Sequence, residues 1–141
     1  MKTIFITYCS KEKDESNTLL KAVKRYKSNR IQRVYEAAKL LTADFMILSG
    51  EFGLLNPGTE IPYYDHLLVM EEVNKYTEKL TKQLTEIINK NKENIKIILF
   101  TEYLKNDPNL KPYQISLKKA CENLNIEFTM IETETEINNL L

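Results

Sequence analysis

The sequence of 141 residues contains no tryptophan, one histidine, two cysteines and three glycines. Two cysteines in unlike contexts predict free thiols in a cytoplasmic protein rather than a disulfide framework. A lone histidine and the lack of a CxxC pair disfavour zinc, so we predict no metal and no cofactor. No apolar run approaches the roughly 18 residues that a membrane span needs, and the N-terminus lacks the pattern of a signal peptide, so we expect no membrane partner.

Neither sign of charge is in excess, because Lys plus Arg and Asp plus Glu both number 20. Proteins that coat nucleic acid are usually basic, so this balance weakly disfavours that class while leaving room for a local basic patch. The length fits one domain over residues 1–141, and 43% apolar residues suffice for an ordinary core. The sequence does not predict an oligomeric state.

Strand-like and helix-like patterns alternate along the chain. Runs of β-branched and apolar residues predict strands at 2–8, 44–48, 95–100 and 126–131. Helical spacing predicts helices at 18–27, 30–41, 69–92 and 113–123, with a short helix or frayed end at 132–141. This order is typical of an α/β, three-layer, Rossmann-like domain with a mainly parallel sheet of about four strands.

Three irregular stretches begin where predicted strands end, at residues 9–11, 49–68 and 101–111. The middle stretch is some twenty residues long, whereas such connections usually take about two to six. It contains all three glycines, the only histidine and two adjacent tyrosines. Because parallel strands end at one edge of a sheet, and ligands bind there, we predict that the three stretches wall a common site.

The segment Ser49-Gly50-Glu51-Phe52-Gly53 directly follows the second predicted strand. Gly50 and Gly53 permit positive φ or a close backbone approach, and free amide groups in such a turn can hold a phosphate. The segment has neither a Walker ending nor GxGxxG spacing, so a tight turn that merely enters the loop is an equal alternative.

The segment Cys9-Ser10-Lys11-Glu12-Lys13 follows the first predicted strand. Lys11 and Lys13 suit phosphate contacts, or they belong to a solvated basic turn. Cys9, close to two lysines, is a candidate nucleophile, and the alternative is an unreactive thiol.

A third group of candidates is Tyr63-Tyr64-Asp65-His66, which follows Pro62. The tyrosines can stack on a base, or one of them plugs the loop onto the core. Asp65 is either a general base or the N-cap of a helix starting near residue 67. His66 is interpreted as a surface or helix-start residue.

The stretch ILSGEFGLL at 47–55, followed by Pro57, Ile61 and Tyr63-Tyr64-Asp65, resembles the ILSGxYGLLxP…IxPY core of the YaaA peroxide-stress proteins. It looks closer still to smaller YaaA-like domains of unknown function, whose CSKxK motif is matched by residues 9–13. The resemblance covers about residues 3–70. Phe52 replaces the usual Tyr, and Tyr64 alters the Pro-Tyr-Asp spacing of the family.

YaaA is tied to protection of DNA under oxidative stress and looks like a DNA binder, so the resemblance implies a nucleotide or nucleic-acid partner. Fold-level analogy adds the hypothesis of an enzyme that cleaves or exchanges an N-glycosidic bond. Its candidate catalytic residues are Asp65, Glu51 and Cys9. Its candidate binding residues are Ser10, Lys11, Lys13, Ser49, Gly50, Gly53, Tyr63 and Tyr64. The alternatives are a non-catalytic nucleotide- or DNA-binding module and a scaffold for a protein partner.

Overall fold

The computed structural model of the protein describes residues 1–132, so the prediction for the C-terminal end falls outside the described residues. The strands are β1 (Lys2–Tyr8), β2 (Leu20–Lys21), β3 (Asp44–Ser49), β4 (Gly53–Leu55), β5 (Glu60–Ile61), β6 (Ile95–Phe100) and β7 (Glu127–Ile131). The α-helices are α1 (Ala22–Arg25), α2 (Asn29–Leu40), α3 (Val73–Asn91) and α4 (Lys111–Asn123). Short 3-10 turns at Met70–Glu72 and Pro108–Leu110 precede α3 and α4.

Five of these strands form one sheet in the order β4-β3-β1-β6-β7. The central strand β1 pairs in parallel with β3 and β6, and β7 pairs in parallel with β6. The outer strand β4 turns back from β3 and pairs with it antiparallel. The predicted Rossmann-like fold with a mainly parallel sheet is therefore confirmed, and the antiparallel β4 is a fifth strand that the sequence patterns did not reveal.

Both faces of the sheet are covered, because successive side chains of a strand point to opposite sides. Ile4 and Ile6 of β1 join a core with buried residues of α3 and α4. Phe5 joins a second core with buried residues of α1 and α2. Each fully buried aliphatic side chain contributes about 1.5–3 kcal/mol relative to an exposed one, so the two cores together fix the three-layer arrangement.

The helix predicted at residues 18–27 is wrong in its first part. Leu20 and Lys21 are extended and pair antiparallel with Ile61 and Glu60, which leaves a single helical turn in α1. The long stretch after β3 is likewise not one loop, because it contains β4 and then β5. Part of its length therefore forms two additional backbone pairings.

The other predicted elements agree with the structure to within a few residues. Helix α2 starts where predicted, and the Ser28 hydroxyl accepts the N–H of Ile31 as an N-cap. Pro112 lies in the first turn of α4, where its missing N–H leaves no hydrogen bond unmade. The α-helical part of the predicted helix at 69–92 begins at Val73, since a 3-10 turn comes first.

Candidate functional site

The carboxyl ends of β1, β3 and β6 meet at one edge of the sheet, which we call the rim. Tyr8 lies opposite Leu48, and Thr7 lies opposite Phe100. The N–H of Cys9 still donates to the carbonyl of Leu48 at 2.9 Å. The segments that follow β1 and β3 therefore begin side by side, as predicted.

A cavity of about 360 Å³ opens at the rim, and we call it the rim cavity. The turn after β1 forms one wall, the residues ahead of α3 form another, and the loop between β6 and α4 closes the third side. The predicted residues that line it are Cys9, Ser10, Lys11, Lys13 and Asp65. The structure therefore brings together the basic turn and the aspartate that the sequence placed more than fifty positions apart.

The basic turn after β1 is held in place by its own hydrogen bonds. The Ser10 hydroxyl donates to the carbonyl of Glu12 at 2.6 Å, and Lys13 Nζ donates to the carbonyl of Lys11 at 3.4 Å. Lys13 Nζ also lies 4.8 Å from the centroid of the Tyr64 ring. Within residues 1–132 neither Lys11 nor Lys13 forms an ion pair with a carboxylate, so both charges face the cavity without a counter-ion.

Asp65 is exposed at the cavity wall and makes no hydrogen bond or ion pair with any residue of the described chain. Helix α3 begins eight residues later, after a 3-10 turn, so the alternative interpretation of Asp65 as a helix N-cap is wrong. Asp65 also borders a shallower depression that contains Tyr63 and Lys27.

Ser49 and Tyr64 lie at the rim but do not line the rim cavity. The Ser49 hydroxyl is fully buried, lies 2.9 Å from the Tyr64 hydroxyl and accepts the N–H groups of Glu51 and Phe52 at 3.2 and 3.1 Å. These two amide groups belong to the turn from Ser49 to Gly53 whose backbone amides were predicted to bind a phosphate. Because a side chain of the same turn already satisfies them, the turn does not offer them to a phosphate.

The Tyr64 side chain anchors its loop to the core. Its ring packs edge-on against Phe52 and Tyr26, and its hydroxyl is hydrogen-bonded to that of Tyr26. Burial raises the pKa of Tyr64 far above its usual range, so the phenol stays neutral. The neighbouring Tyr63, by contrast, remains 44% exposed. Of the two tyrosines, only Tyr63 therefore presents a ring that a ligand can stack on.

Gly50 and Gly53 are both restricted, as predicted. A Cβ on Gly50 would lie 2.8 Å from the His66 carbonyl oxygen and from the Tyr113 hydroxyl. Gly53 has φ of +73°, and a Cβ there would lie 2.4 Å from the Gln83 amide oxygen. Both positions shape the turn after β3 without lining the rim cavity.

Glu51, His66 and Glu72 form a hydrogen-bonded group that we call the Glu-His-Glu latch. Nδ1 of His66 lies 2.6 Å from Glu51 Oε2, and Nε2 lies 2.8 Å from Glu72 Oε2. The hydrogen bond to Glu51 raises the pKa of His66, and the bond to Glu72 acts in the same direction. Since both ring nitrogens are occupied, His66 is not available as a base for Cys9, although both residues line the rim cavity.

The latch also changes the role expected for Glu51. Its carboxylate is held by His66 in a smaller depression beside Lys75 and Lys79, and it does not line the rim cavity. Lys79 Nζ donates to the Glu51 carbonyl at 2.9 Å, which fixes the backbone there as well. Glu51 is thus placed to connect the turn after β3 to α3 rather than to reach a ligand at the rim.

Arg30, Tyr8, Asp107, Asn109 and Tyr113 also line the rim cavity, and sequence reasoning missed them. Arg30 lies in the first turn of α2, the longer of the two helices between β1 and β3. A helix that connects two parallel strands starts at the rim, so this position could have indicated Arg30. Asp107 and Asn109 belong to the third irregular stretch, in which no residue was singled out. The Asp107 carboxylate accepts the N–H of Asn109 at 3.3 Å and caps the 3-10 turn there.

Residues 1–132 contain neither a metal-binding cluster nor a membrane-spanning helix. No group of three or more His, Cys, Asp or Glu side chains in this range is placed to hold a metal ion. None of the helices described there is long and apolar enough to cross a membrane.

Residues 4–130 match a family of unknown function, DUF6884. The chain belongs to the DUF6884 family. The match runs from β1 to β7 and includes every residue of the rim cavity. Among solved structures, a de novo designed Rossmann fold protein is similar to this DUF6884 chain, with a TM-score of 0.49 and 12% identity over 99% of the chain and 92% of the designed protein. A comparison with curated proteins found no match.

Proposed function

We propose that the rim cavity binds a phosphate-bearing nucleotide or the end of a nucleic-acid strand. The observation that carries this proposal is that Lys11, Lys13 and Arg30 line one cavity, while no carboxylate of residues 1–132 forms an ion pair with any of them. Cations gathered in a concave site attract an anion, and phosphate accepts hydrogen bonds from several donors at once.

The size and the remaining polar groups of the cavity also fit a nucleotide. A volume of about 360 Å³ is within the range of small-ligand pockets, which is roughly 300–1,000 Å³. Asp65 and Asn109 also line the cavity and offer acceptors for ribose hydroxyls, as acidic residues do in dinucleotide sites. A ligand with an anionic end and a hydroxyl-rich body matches both kinds of group.

The enzymatic form of the proposal is hydrolysis or exchange at an N-glycosidic bond. Asp65 would then stabilise an oxocarbenium-like sugar or activate a water molecule, since its carboxylate makes no bond within the described chain. Cys9 remains at the cavity wall, but neither nitrogen of His66 is free to activate it. The non-catalytic form is a nucleotide- or DNA-binding module, which agrees with the resemblance of residues 3–70 to the YaaA proteins.

Titration calorimetry tests binding, and it suits a chain that has no tryptophan for fluorescence. We expect nucleoside phosphates and short single strands to bind at low salt and to bind more weakly as salt rises, because lysine contacts release counter-ions. Lys11→Ala and Lys13→Ala should each weaken binding and flatten its salt dependence. Lys118→Ala is the matched control, since Lys118 is exposed on α4 and lines no part of the cavity.

If no nucleotide or strand binds at low salt, or if both lysine variants bind like the parent, the nucleotide proposal fails. The scaffold for a protein partner then becomes the better hypothesis.

Asp65→Asn separates the enzyme from the binding module. Release of free base from nucleosides, nucleotides and oligonucleotides is followed by chromatography. An enzyme should lose release in the Asp65→Asn variant while its affinity for the nucleotide persists. A parent protein that binds nucleotides and releases no base from any of them supports the non-catalytic form instead.

A further inference from the structure

We infer that Arg30 is the anion anchor of the rim cavity and that it selects a terminal phosphate, so the ligand is a mononucleotide or a phosphorylated strand end and not an internal phosphodiester. This inference rests on the proposed function and names the ligand class of the same site. It is carried by the way Arg30 is held and by the segments that border the cavity around it.

The guanidinium of Arg30 is fixed against the end of the sheet. Its Nη1 donates to Thr7 Oγ1 at 2.5 Å and to the Tyr8 carbonyl at 2.9 Å. The Thr7 hydroxyl in turn donates to the Phe100 carbonyl at 2.8 Å, which ties the group to the pairing of β1 with β6. A single nitrogen of the guanidinium therefore makes both of these contacts, and the Nη2 and Nε edge is left for a ligand.

The Tyr8 ring sets the plane of that edge. The guanidinium carbon lies 3.5 Å from the centroid of the Tyr8 ring, so the two flat groups are stacked. A stacked guanidinium loses little rotational freedom when it binds, and its planar fork matches two oxygens of a phosphate. Lys11, by comparison, is exposed and carries its charge on a flexible stem. Arg30 therefore orients the bound phosphate, while the lysines attract the anion to the cavity.

Burial distinguishes Arg30 from the lysines in a second way. Loss of water around the guanidinium lowers the pKa of Arg30, although the group stays charged at neutral pH because an arginine titrates so high. The carboxylate of Asp107 acts on it from the loop after β6 without forming an ion pair. A partly desolvated cation that has no ion-pair partner within residues 1–132 gains more from an anion than an exposed lysine does.

Three segments border the cavity around Arg30 and restrict which phosphate can reach it. Walls come from the turn after β1, from Asp65 to Leu67 and from the loop that carries Asp107, and Arg30 lies at the sheet end between them. An internal phosphodiester continues into a nucleotide on both sides and needs a groove that is open at two ends. A terminal phosphate enters end-on and turns three unesterified oxygens toward the guanidinium.

The test compares four ligands by calorimetry: a nucleoside, its 5′-monophosphate, an unphosphorylated dinucleotide that contains only an internal phosphodiester, and the same dinucleotide with a 5′-phosphate. We expect both ligands with a terminal phosphate to bind and the other two to bind at least about tenfold more weakly. Arg30→Lys keeps the charge but loses the fork, and should abolish most of that difference. Arg33→Lys, on the exposed side of the same helix, is the matched control.

Salt gives a second readout, because a buried pair is screened less than an exposed one. The loss caused by Arg30→Lys should keep the same factor as salt rises, whereas the loss caused by Lys11→Ala should shrink. Thermal melting checks that each variant folds. If Arg30→Lys unfolds, Thr7→Val replaces it, since that variant retains Arg30 and removes its hydroxyl partner; it should weaken the terminal-phosphate ligands alone.

The outcomes separate this inference from the proposed function. Equal binding of the internal phosphodiester and the terminal phosphate overturns the inference and leaves the nucleotide proposal standing. Parent-like binding by Arg30→Lys, or by Thr7→Val where it is used, also overturns the inference. Arg30-dependent binding of inorganic phosphate or pyrophosphate, with no gain from an attached nucleoside, supports the anchor and overturns the nucleotide proposal.

Discussion

At the scale of single residues, Gly53 shows how one missing Cβ supports the turn after β3. Its φ of +73° lies in the left-handed region, which costs a residue with a Cβ about 1–2 kcal/mol. The space beside it is filled by Gln83, whose amide oxygen accepts the N–H of Leu54 at 2.9 Å and whose nitrogen donates to the Phe52 carbonyl at 3.1 Å. This side chain therefore ties β4 and the residue before it to α3.

We predict that Gly53→Ala lowers the free energy of unfolding by about 2–3 kcal/mol, because it adds backbone strain and displaces the hydrogen bonds of Gln83. Urea unfolding followed by circular dichroism measures the change. Gly58→Ala is the control, since a Cβ at Gly58 meets no atom within 4 Å, and we expect its effect to stay within about 0.5 kcal/mol. Equal stabilities for the two variants would contradict this account.

At the scale of elements, Arg25 joins segments that have little regular structure of their own. Its side chain is fully buried and donates to the carbonyl oxygens of Asp14, Ser16, Thr18 and Ile61 at 2.6, 3.1, 2.6 and 3.1 Å. The guanidinium thereby links the chain before β2 to β5. The basic turn of the rim cavity lies at the start of this linked region.

Arg25→Met should lower the free energy of unfolding by about 3 kcal/mol or more, because it removes hydrogen bonds from a charged donor to four carbonyl groups, of which the bond to Ile61 is buried. Hydrogen exchange should speed up at residues 12–18 and 60–61 more than in β1 or β6. Lys24→Met, an exposed neighbour on the same helical turn, supplies the control for both measurements. Unchanged exchange in these two segments would show that Arg25 does not hold them together.

The Glu-His-Glu latch connects two elements as well, the turn after β3 and the start of α3. The pKa of His66 is raised above the ordinary histidine value of 6.5 in the folded protein. A raised histidine pKa contributes stability that is fully present below the unfolded-state value and is lost as pH rises through the folded-state value. The latch thus stabilises the wall that carries Asp65 in weak acid and releases it in base.

We predict that the melting temperature of the parent exceeds that of His66→Gln by more at about pH 6 than at about pH 9, since glutamine carries no charge to lose. Thermal melts of both proteins across this range give the comparison. A gap that stays constant with pH would mean that the imidazolium contributes nothing to the latch.

At the scale of the whole molecule, the sequence predicted those elements that are long enough to show a repeating pattern of apolar residues. The strands β1, β3, β6 and β7 and the helices α2, α3 and α4 were all located this way. The pairing of β2 with β5 could not be predicted, because two residues are too few to show a repeating pattern. The hydrogen bond from Arg25 to Ile61 that supports this pairing also leaves no mark in the pattern of apolar residues. Tyr63 and Tyr64 are adjacent in sequence, and only the packing against Phe52 decides which one is buried.

The sequence correctly predicted the placement at the rim of residues that lie in the chain directly after a strand. The topology alone brings Cys9 to Lys13 to the rim. Arg30 was missed because a polar residue in a helical pattern is read as solvent-facing, whereas here it bends over Tyr8 toward the cavity. Glu51 was misplaced because its partner His66 approaches from fifteen positions away and turns the carboxylate aside.

The central place of β1 has a consequence for how the chain acquires this form. Its neighbours β3 and β6 follow later in the chain. Thr7 of β1 and Phe100 of β6, which are hydrogen-bonded across the sheet, are separated by 93 positions. Contacts between such remote residues slow folding relative to local topologies. During synthesis one edge of the apolar strand β1 should therefore remain unpaired until β6 has left the ribosome. Chains whose synthesis stops before that point should be the most prone to aggregation.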